Sequence, residues 1–288
     1  MVNHMPQRKL LALGLSLLAM GATGCSEPMT GLGGGGKAPV SVTLLVNEDA
    51  SDVAAGEAAD AGPAVVEGYG TLRGRIVVEG GVPELSPVLA KGAPTKDAIC
   101  SENAVPNESV QGTNGGLANV FIFLKRAPNV EVPPPPSEPV VLDQKGCKFV
   151  PHAFLVRVGQ PIKIINSDPV AHNVRITAVS LSANNILQGN DTNGIEVTYE
   201  RAERLPVRSQ CDIHAWMEGW HLAVDHPWCA LTAEDGTFEI PDVPAGEMEF
   251  VVWHERLGYI ERSLTVEIPK DGEVEKTLTV ESGKLASN

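Results

Sequence analysis

The chain of 288 residues is poor in aromatic and basic side chains, and no long stretch shows helical periodicity. Aromatic residues make up 5% of the chain, and 22 Lys and Arg stand against 36 Asp and Glu, a formal net charge of −14. A protein this acidic is not expected to bind nucleic-acid phosphates or anionic lipid headgroups. The charge suits a basic protein partner, although it also serves simple solubility.

Glycine and proline are plentiful, at 29 and 22 residues, and they separate short runs rich in β-branched side chains. This pattern is typical of short strands joined by turns. The sequence therefore predicts an all-β protein, long enough for one large domain or two small ones.

The N-terminal 25 residues resemble a bacterial lipoprotein signal. Arg8 and Lys9 precede an apolar run, Leu10–Met20, that is too short to span a bilayer. Small residues then lead to Cys25, as in a lipobox. The resemblance implies removal of residues 1–24, lipidation of Cys25 and, with Ser26 next, a lipid anchor at the periplasmic side of the outer membrane or the surface of a Gram-negative cell. The alternative is an ordinary cleaved signal with an incidental cysteine.

Residues 25–68 have the composition of a flexible tether. Gly33–Gly36 is a glycine run, and six acids without a base lie between residues 48 and 67. Such a segment buries too little apolar surface to fold alone. We expect it to let an anchored domain reach partners away from the membrane.

One short stretch carries most of the chemical information: Cys211-Asp-Ile-His-Ala-Trp-Met217, with the spacing C-x2-H-x2-M. A further histidine, His172, lies upstream behind a predicted strand. One thiolate, two imidazoles and one thioether are the ligands of a blue-copper site. The alternative is that Cys211 and Met217 are core residues and His214 lies on the surface.

The region around these residues resembles the cupredoxins. The matching positions before the loop are Phe149, Pro151, Val156, Gly159, Ile162, Asn166, Asp168, His172 and Asn173. The resemblance covers roughly residues 141–225, and the ligand spacing is closest to the amicyanin type. The approach to Cys211, residues 205–210, departs from the family because it lacks the usual Gly-x-Tyr pattern.

The cupredoxin resemblance implies roles for four ligands and one supporting residue. His172 and His214 would be the imidazole ligands, Cys211 the thiolate and Met217 the axial thioether of one type 1 copper ion. Asn173 would tie the two ligand loops together. The predicted fold is a Greek-key β-sandwich over residues 141–229.

The sequence after this unit resembles a second family, the carboxypeptidase-regulatory-like or transthyretin-like β-sandwich. Residues 235–240 match D-G-x-F-x-I and residues 244–250 match P-x-G-x-x-x-F, while residues 70–74 and 118–123 resemble the opening of the family. We predict one such sandwich formed by residues 69–130 and 230–283, with the copper unit inserted. A tandem arrangement, with the copper unit following, is the alternative.

The ligand set favours electron transfer over catalysis. Four protein ligands leave no open position for a substrate, whereas a catalytic metal site keeps one. No nucleophile motif or paired-carboxylate signature suggests an enzyme. We expect single-electron exchange with an unidentified redox protein; copper storage or delivery, and a structural module without a functional metal, are the alternatives. Zinc could use the same Cys and His residues, but a thioether is a poor zinc ligand.

The remaining cysteines and histidines give weaker expectations. Cys100, Cys147 and Cys229 allow at most one internal disulfide; we prefer Cys100 with Cys147, although sequence does not fix the pairing. A second metal site using His152, His226 and His254 is less favoured than ordinary packed or surface histidines. Trp216 and Trp220 would either form an apolar docking patch around His214, the usual electron exit in cupredoxins, or pack in the core.

Overall fold

The computed structural model describes residues 66–178, 180–181 and 185–287. The predicted signal, Cys25 and almost all of the predicted tether lie outside these residues. Within the described ranges, no helix has the length and apolar character needed to cross a membrane. The strands are β1 Tyr69–Glu79, β2 Phe121–Leu124, β3 Val140–Gln144, β4 Phe149–Val150, β5 Ala153–Arg157, β6 Pro161–Asn166, β7 His172–Ile176, β8 Asn185–Gln188, β9 Asp191–Thr198, β10 Val207–Gln210, β11 Glu218–Val224, β12 Cys229–Leu231, β13 Thr237–Pro244, β14 Gly246–His254, β15 Gly258–Ile268 and β16 Glu273–Glu281.

Helical structure in the described residues is limited to a 3₁₀ turn, Ala98–Ser101, and a short C-terminal helix, α1, Ser282–Ala286. The strands form four sheets that pack face to face. The predicted all-β sandwich architecture is confirmed. Its physical basis is the alternation of apolar and polar residues along strands such as β13, where Phe238 and Ile240 are buried and Thr237 and Glu239 are exposed.

The first two sheets have the strand orders β13-β1-β16 and β12-β2-β14-β15. They enclose an apolar core that includes Leu72, Ile76, Ile122, Phe250 and Ile268. Their strands come from residues 69–124 and 229–281, so the chain leaves this sandwich after β2 and returns to it at β12.

The other two sheets have the orders β4-β3-β6-β9 and β5-β11-β10-β7-β8. All nine strands lie in the chain between β2 and β12, so this sandwich is an insertion within the first. Strands β8 and β9 follow β7 in the chain, and each stands at the edge of its sheet. Residues 205–210, the stretch without the Gly-x-Tyr pattern, include strand β10, which is central in its sheet.

The two sandwiches share a third apolar cluster. Strand β2, Phe-Ile-Phe-Leu, is buried along its whole length: alternate side chains enter the first core, and the others, Phe121 and Phe123, face β5 and β11 of the insertion. Leu222 and Val224 meet them from β11. Burial on both faces explains why β2 is a continuous apolar run and does not alternate.

A histidine in the core of the inserted sandwich gives a pH-dependent stability. His221 is fully buried, stacks on Phe154 at 4.8 Å and bonds through Nε2 to the Tyr199 hydroxyl at 2.7 Å. Burial lowers the pKa of His221 to about 3. Below the unfolded value of about 6.5 the unfolded chain binds the extra proton, so the free energy of unfolding falls as the pH falls.

We expect His221 alone to remove roughly 2 kcal/mol of stability between pH 6.5 and pH 5. Folding shifts the pKa values of other histidines in both directions, so the effect of His221 has to be measured as a difference between two proteins. Urea unfolding of the wild type and of His221→Gln across this pH range gives that difference. The substitution should flatten the pH dependence of the unfolding free energy, apart from any constant loss of stability. Equal slopes for the two proteins would contradict the assignment.

Candidate metal centre

The pairing of two antiparallel strands brings the predicted ligands together. Residue His172 opens β7, and Cys211 directly follows β10, which pairs with β7 so that Gln210 lies opposite Arg175. In an antiparallel pair the start of one strand lies beside the end of its neighbour. His172 therefore lies next to Cys211, although 38 residues separate them in the chain.

The segment between β10 and β11 is a tight loop that carries the other two predicted ligands. The backbone N–H of Cys211 donates to the carbonyl of Met217 at 3.2 Å, and the N–H of Met217 donates to the carbonyl of His214 at 2.9 Å. The N–H of His214 also points to the Cys211 sulfur, 3.4 Å away. The spacing C-x2-H-x2-M thus corresponds to a loop closed by its own backbone.

The side chains of His172, His214 and Cys211 converge in a buried pocket. The two Nδ1 atoms are 2.8 Å apart, the Cys211 sulfur lies 3.9 Å from Nδ1 of His214, and the candidate ligand atoms of all three residues lie within 4.8 Å of one another. Both histidines are fully buried, Cys211 is 2% exposed and Met217 is 1% exposed. A soft sulfur and two imidazole nitrogens that already face one another fit a single transition-metal ion.

Asn173 links the two segments that carry the ligands. Its side-chain oxygen accepts hydrogen bonds from the N–H of Asp212, at 2.7 Å, and from the thiol of Cys211, at 3.4 Å. Its side-chain nitrogen donates to Asp212 and Asn185, at 3.0 and 2.9 Å. These contacts hold the start of β7 against the residue that follows β10.

The outer nitrogen of His172 is bound to a buried carboxylate. Nε2 of His172 lies 2.9 Å from Oδ2 of Asp168, whose two oxygens also accept the backbone N–H groups of Gly146 and Cys147, each at 2.7 Å. Gly146 and Cys147 both have left-handed backbone angles, with φ of 65° and 54°, and this turn presents both N–H groups to the carboxylate. A carboxylate on the outer nitrogen fixes the ring and makes the inner nitrogen a better metal ligand.

The outer nitrogen of His214 is covered by a segment from the other sandwich. Nε2 of His214 lies 2.9 Å from Oδ2 of Asp97 and 3.8 Å from the Cys100 sulfur. Cys100 is disulfide-bonded to Cys147, with their Cα atoms 5.4 Å apart. His214 is therefore fully buried, because residues 97–100 occupy the outer side of its ring.

Trp216 packs against His214 rather than beside an open docking patch. The two rings are 5.1 Å apart, and the Trp216 indole nitrogen donates to the carbonyl of Cys147 at 3.1 Å. Trp220 lies on β11 and joins the cluster between the sandwiches, in contact with Trp253. Trp220 thus contributes to packing.

Burial and hydrogen bonding shift the pKa values of His172, His214 and Cys211. Burial alone would lower the pKa of His172, but its hydrogen bonds with Asp168 and Cys211 outweigh burial and raise the pKa to about 9. Burial and the neighbouring charge of His172 lower the pKa of His214. Burial would raise the pKa of the Cys211 thiol, but hydrogen bonds from His172 and from backbone groups lower it. A metal ion bound by these side chains would compete with protons, so its binding would release protons from the site.

The other histidines do not gather into a site. In the part of the chain that the structure describes, the groups with metal-ligand geometry are His172, Cys211 and His214, and the overlapping group Cys147, Asp168 and His172, whose cysteine is in the disulfide. His152 bonds to Glu255, and Nε2 of His226 donates to the carbonyl of Leu124. Burial lowers the pKa of His254 to about 4.

The two carboxylates at the outer nitrogens were not assigned a role from the sequence. Asp168 stands four residues before His172, and this short spacing is a usable signal for a residue that supports a ligand. Asp97 lies 117 residues before His214. No local pattern joins those two positions, and only the fold brings them together.

The chain resembles proteins of known structure, although no protein family model and no curated sequence matches it. A Cu(I) mutant of amicyanin is 20% identical over 30% of this chain and 82% of its own, with a TM-score of 0.26. A purple cupredoxin from Nitrosopumilus maritimus is 16% identical over 30% of this chain and 99% of its own, at 0.25. A copper-containing nitrite reductase from Thermus scotoductus is 19% identical over 34% of this chain and 24% of its own, at 0.26.

Proposed function

We propose that the inserted sandwich is a cupredoxin-like domain that binds one copper ion in a type 1 site and transfers single electrons. The observation that supports this most directly is the convergence of three buried side chains: the Nδ1 atoms of His172 and His214 lie 2.8 Å apart, with the Cys211 sulfur beside them. Met217, buried in the same loop, would supply the fourth, weaker ligand of such a site.

The donor set fits copper in both of its oxidation states. Thiolate and thioether suit Cu(I), imidazole suits Cu(II), and a thioether is a poor ligand for zinc. When bound, copper supplies a one-electron redox couple. With four protein ligands no coordination position is left for a substrate, and this favours electron transfer over catalysis.

The surrounding residues keep the ligands in place before metal arrives. Asn173 holds Cys211, and Asp168 and Asp97 hold the outer nitrogens of His172 and His214. All three ligand side chains are almost completely buried, so water is excluded from the pocket. Ligands held by these hydrogen bonds would rearrange little when the charge on a bound metal ion changes.

The proposal extends to the protein's place in the cell. The lipobox-like sequence ending at Cys25 supports a lipid anchor on the periplasmic side of the outer membrane or at the cell surface. The first sandwich, with its transthyretin-like motifs, would then be the base that carries the copper domain. The net charge of −14 favours a basic redox protein as the partner.

One observation favours a second function, copper binding for storage or delivery without a redox partner. The ring of His214 is fully buried, whereas electron exchange with a partner protein usually needs a ligand edge near the surface. In a storage role the burial of this ring would slow loss of the metal.

The test is a titration of the metal-free protein with Cu(II), followed by optical and EPR spectroscopy and a redox titration. We expect one copper per chain, an intense blue thiolate-to-copper band, narrow copper hyperfine splitting and a reversible one-electron couple. Tight binding in only one oxidation state would support storage. A pale Cu(II) spectrum would contradict the type 1 assignment.

A further inference from the structure

The long connection between β1 and β2 contains a compact segment, residues 87–106, that we call the cap segment. Its two ends are joined by backbone hydrogen bonds from Val88 to Val105 and from Val105 to Leu89, at 3.0 and 2.8 Å. Nearer its tip, the N–H of Gly92 donates to the carbonyl of Ser101 at 2.7 Å. The cap segment is thus a closed loop held by its own backbone, of the compact type that often carries function.

The cap segment belongs to the connection within the first sandwich but is attached to the inserted one. Leu89, Cys100 and Val105 are buried in the same apolar cluster as Cys211 and Met217. The Cys100–Cys147 disulfide adds a covalent link to the turn whose N–H groups bind Asp168. The cap segment therefore does not lie loosely over the site.

At its tip the cap segment places one carboxylate on the metal-ligand candidate His214. The Asp97 side chain is 27% exposed, and its Oδ2 lies 2.9 Å from Nε2 of the fully buried His214 ring. An ionised carboxylate only accepts hydrogen bonds, so the imidazole must donate from Nε2. The lone pair of Nδ1 then faces His172 and Cys211.

We propose that Asp97 is a positioning residue for His214 and that the cap segment is a built-in cover over the outer edge of this ring. The inference deepens the proposed function: the copper site would be completed by a residue of the other sandwich, and a redox partner could not touch His214 while the cap segment is in place. The accessibility of His214 can be tested without copper, whereas the copper measurements rest on the proposed function.

The first test uses the metal-free full chain and diethyl pyrocarbonate, which modifies accessible imidazole, with the modified peptides identified by mass spectrometry. His214 should be protected in the wild type, and Asp97→Ala should lose that protection. Asp97→Asn keeps an oxygen that can accept from Nε2 and should restore it. Glu102→Ala, which removes an exposed carboxylate from the same segment, is the matched control and should behave as the wild type.

The second test loads the same four proteins with Cu(II). Asp97→Ala should lower copper affinity by about 10–100-fold and change the visible and EPR spectra, as expected for loss of a hydrogen bond to a ligand's outer nitrogen. Asp97→Asn should recover most of the affinity. Exchange of electrons with a small inorganic oxidant should be faster in Asp97→Ala than in Glu102→Ala, because the ring edge is then open to solvent.

Two results would overturn the inference: equal modification of His214 in the wild type and Asp97→Ala, or Asp97→Asn behaving like Asp97→Ala in both tests. Should Asp97→Ala disturb more than the ring, the double variant Cys100→Ser/Cys147→Ser releases the cap segment by another route and must also expose His214. If His214 is protected but the protein gives no blue copper spectrum, the cap segment still covers the ring and the proposed function is rejected. Failure of the cap-segment proposal can therefore be distinguished from failure of the proposed function.

Discussion

Replacing Cys211 with serine is expected to abolish the intense visible absorption of the Cu(II)-loaded protein. That absorption requires a copper–thiolate bond, and the thiol of Cys211 has a lowered pKa and two imidazole nitrogens beside it. A serine hydroxyl is similar in size but stays protonated and is a hard ligand. Copper affinity should fall by more than the roughly 10–100-fold that follows loss of an outer hydrogen bond.

The matched control is Cys229→Ser. Cys229 is the other free cysteine of the described residues; it lies in β12 of the first sandwich, and burial raises its thiol pKa to about 12. This variant should keep the full spectrum and one copper per chain. If Cys211→Ser kept the blue band, or if Cys229→Ser lost it, the thiolate ligand would have to be reassigned.

The short-range part of the candidate site could be predicted from the sequence because its geometry is local. The loop from Cys211 to Met217 is closed by backbone hydrogen bonds between residues three and six positions apart. Such a loop places its ligands together whatever the rest of the chain does. His172 could be assigned because the resemblance to the cupredoxins implies a ligand at this position.

The long-range part was not predictable, because it depends on how two sandwiches pack. The contact between Asp97 and His214 joins a polar connection of the first sandwich to a loop of the second. From sequence, residues around Cys100 are only a polar loop, and an apolar docking patch around His214 was one of two alternatives for Trp216 and Trp220. Nothing in the spacing of these residues indicates that one covers the other.

The apolar strand β2 illustrates the same limit for the fold. A continuous apolar run such as Phe-Ile-Phe-Leu is typical of a buried strand, but the sequence does not say what covers each face. In the structure one face enters the first core and the other meets β5 and β11. The all-β class follows from local patterns, whereas the joint between sandwiches depends on contacts between residues about 100 positions apart.

Removing the Cys100–Cys147 disulfide is expected to lower the free energy of unfolding by about 4 kcal/mol in the chain-entropy account, because the bond closes a loop with a sequence separation of 47 residues. Cys100 is 3% exposed and Cys147 is 2% exposed, so serine replacements also place hydroxyls in an apolar cluster. The double variant Cys100→Ser/Cys147→Ser avoids an unpaired thiol. Its stability should be compared with that of the wild type by urea unfolding under oxidising conditions.

The disulfide is expected both to stabilise the fold and to hold the cap segment over His214. Comparison with Asp97→Ala separates these two effects. Asp97 is partly exposed and outside the apolar cluster, so its replacement should leave the unfolding free energy within about 1 kcal/mol of the wild type while it uncovers His214. The double cysteine variant should both lose stability and uncover His214. A reducing agent should also lower the stability of the wild type, but by no more than the double substitution does, because the reduced protein has no serine hydroxyls in the apolar cluster. A double variant as stable as the wild type would show that the disulfide adds little stability, and Asp97 with the buried Leu89 and Val105 would then have to hold the cap segment over the site.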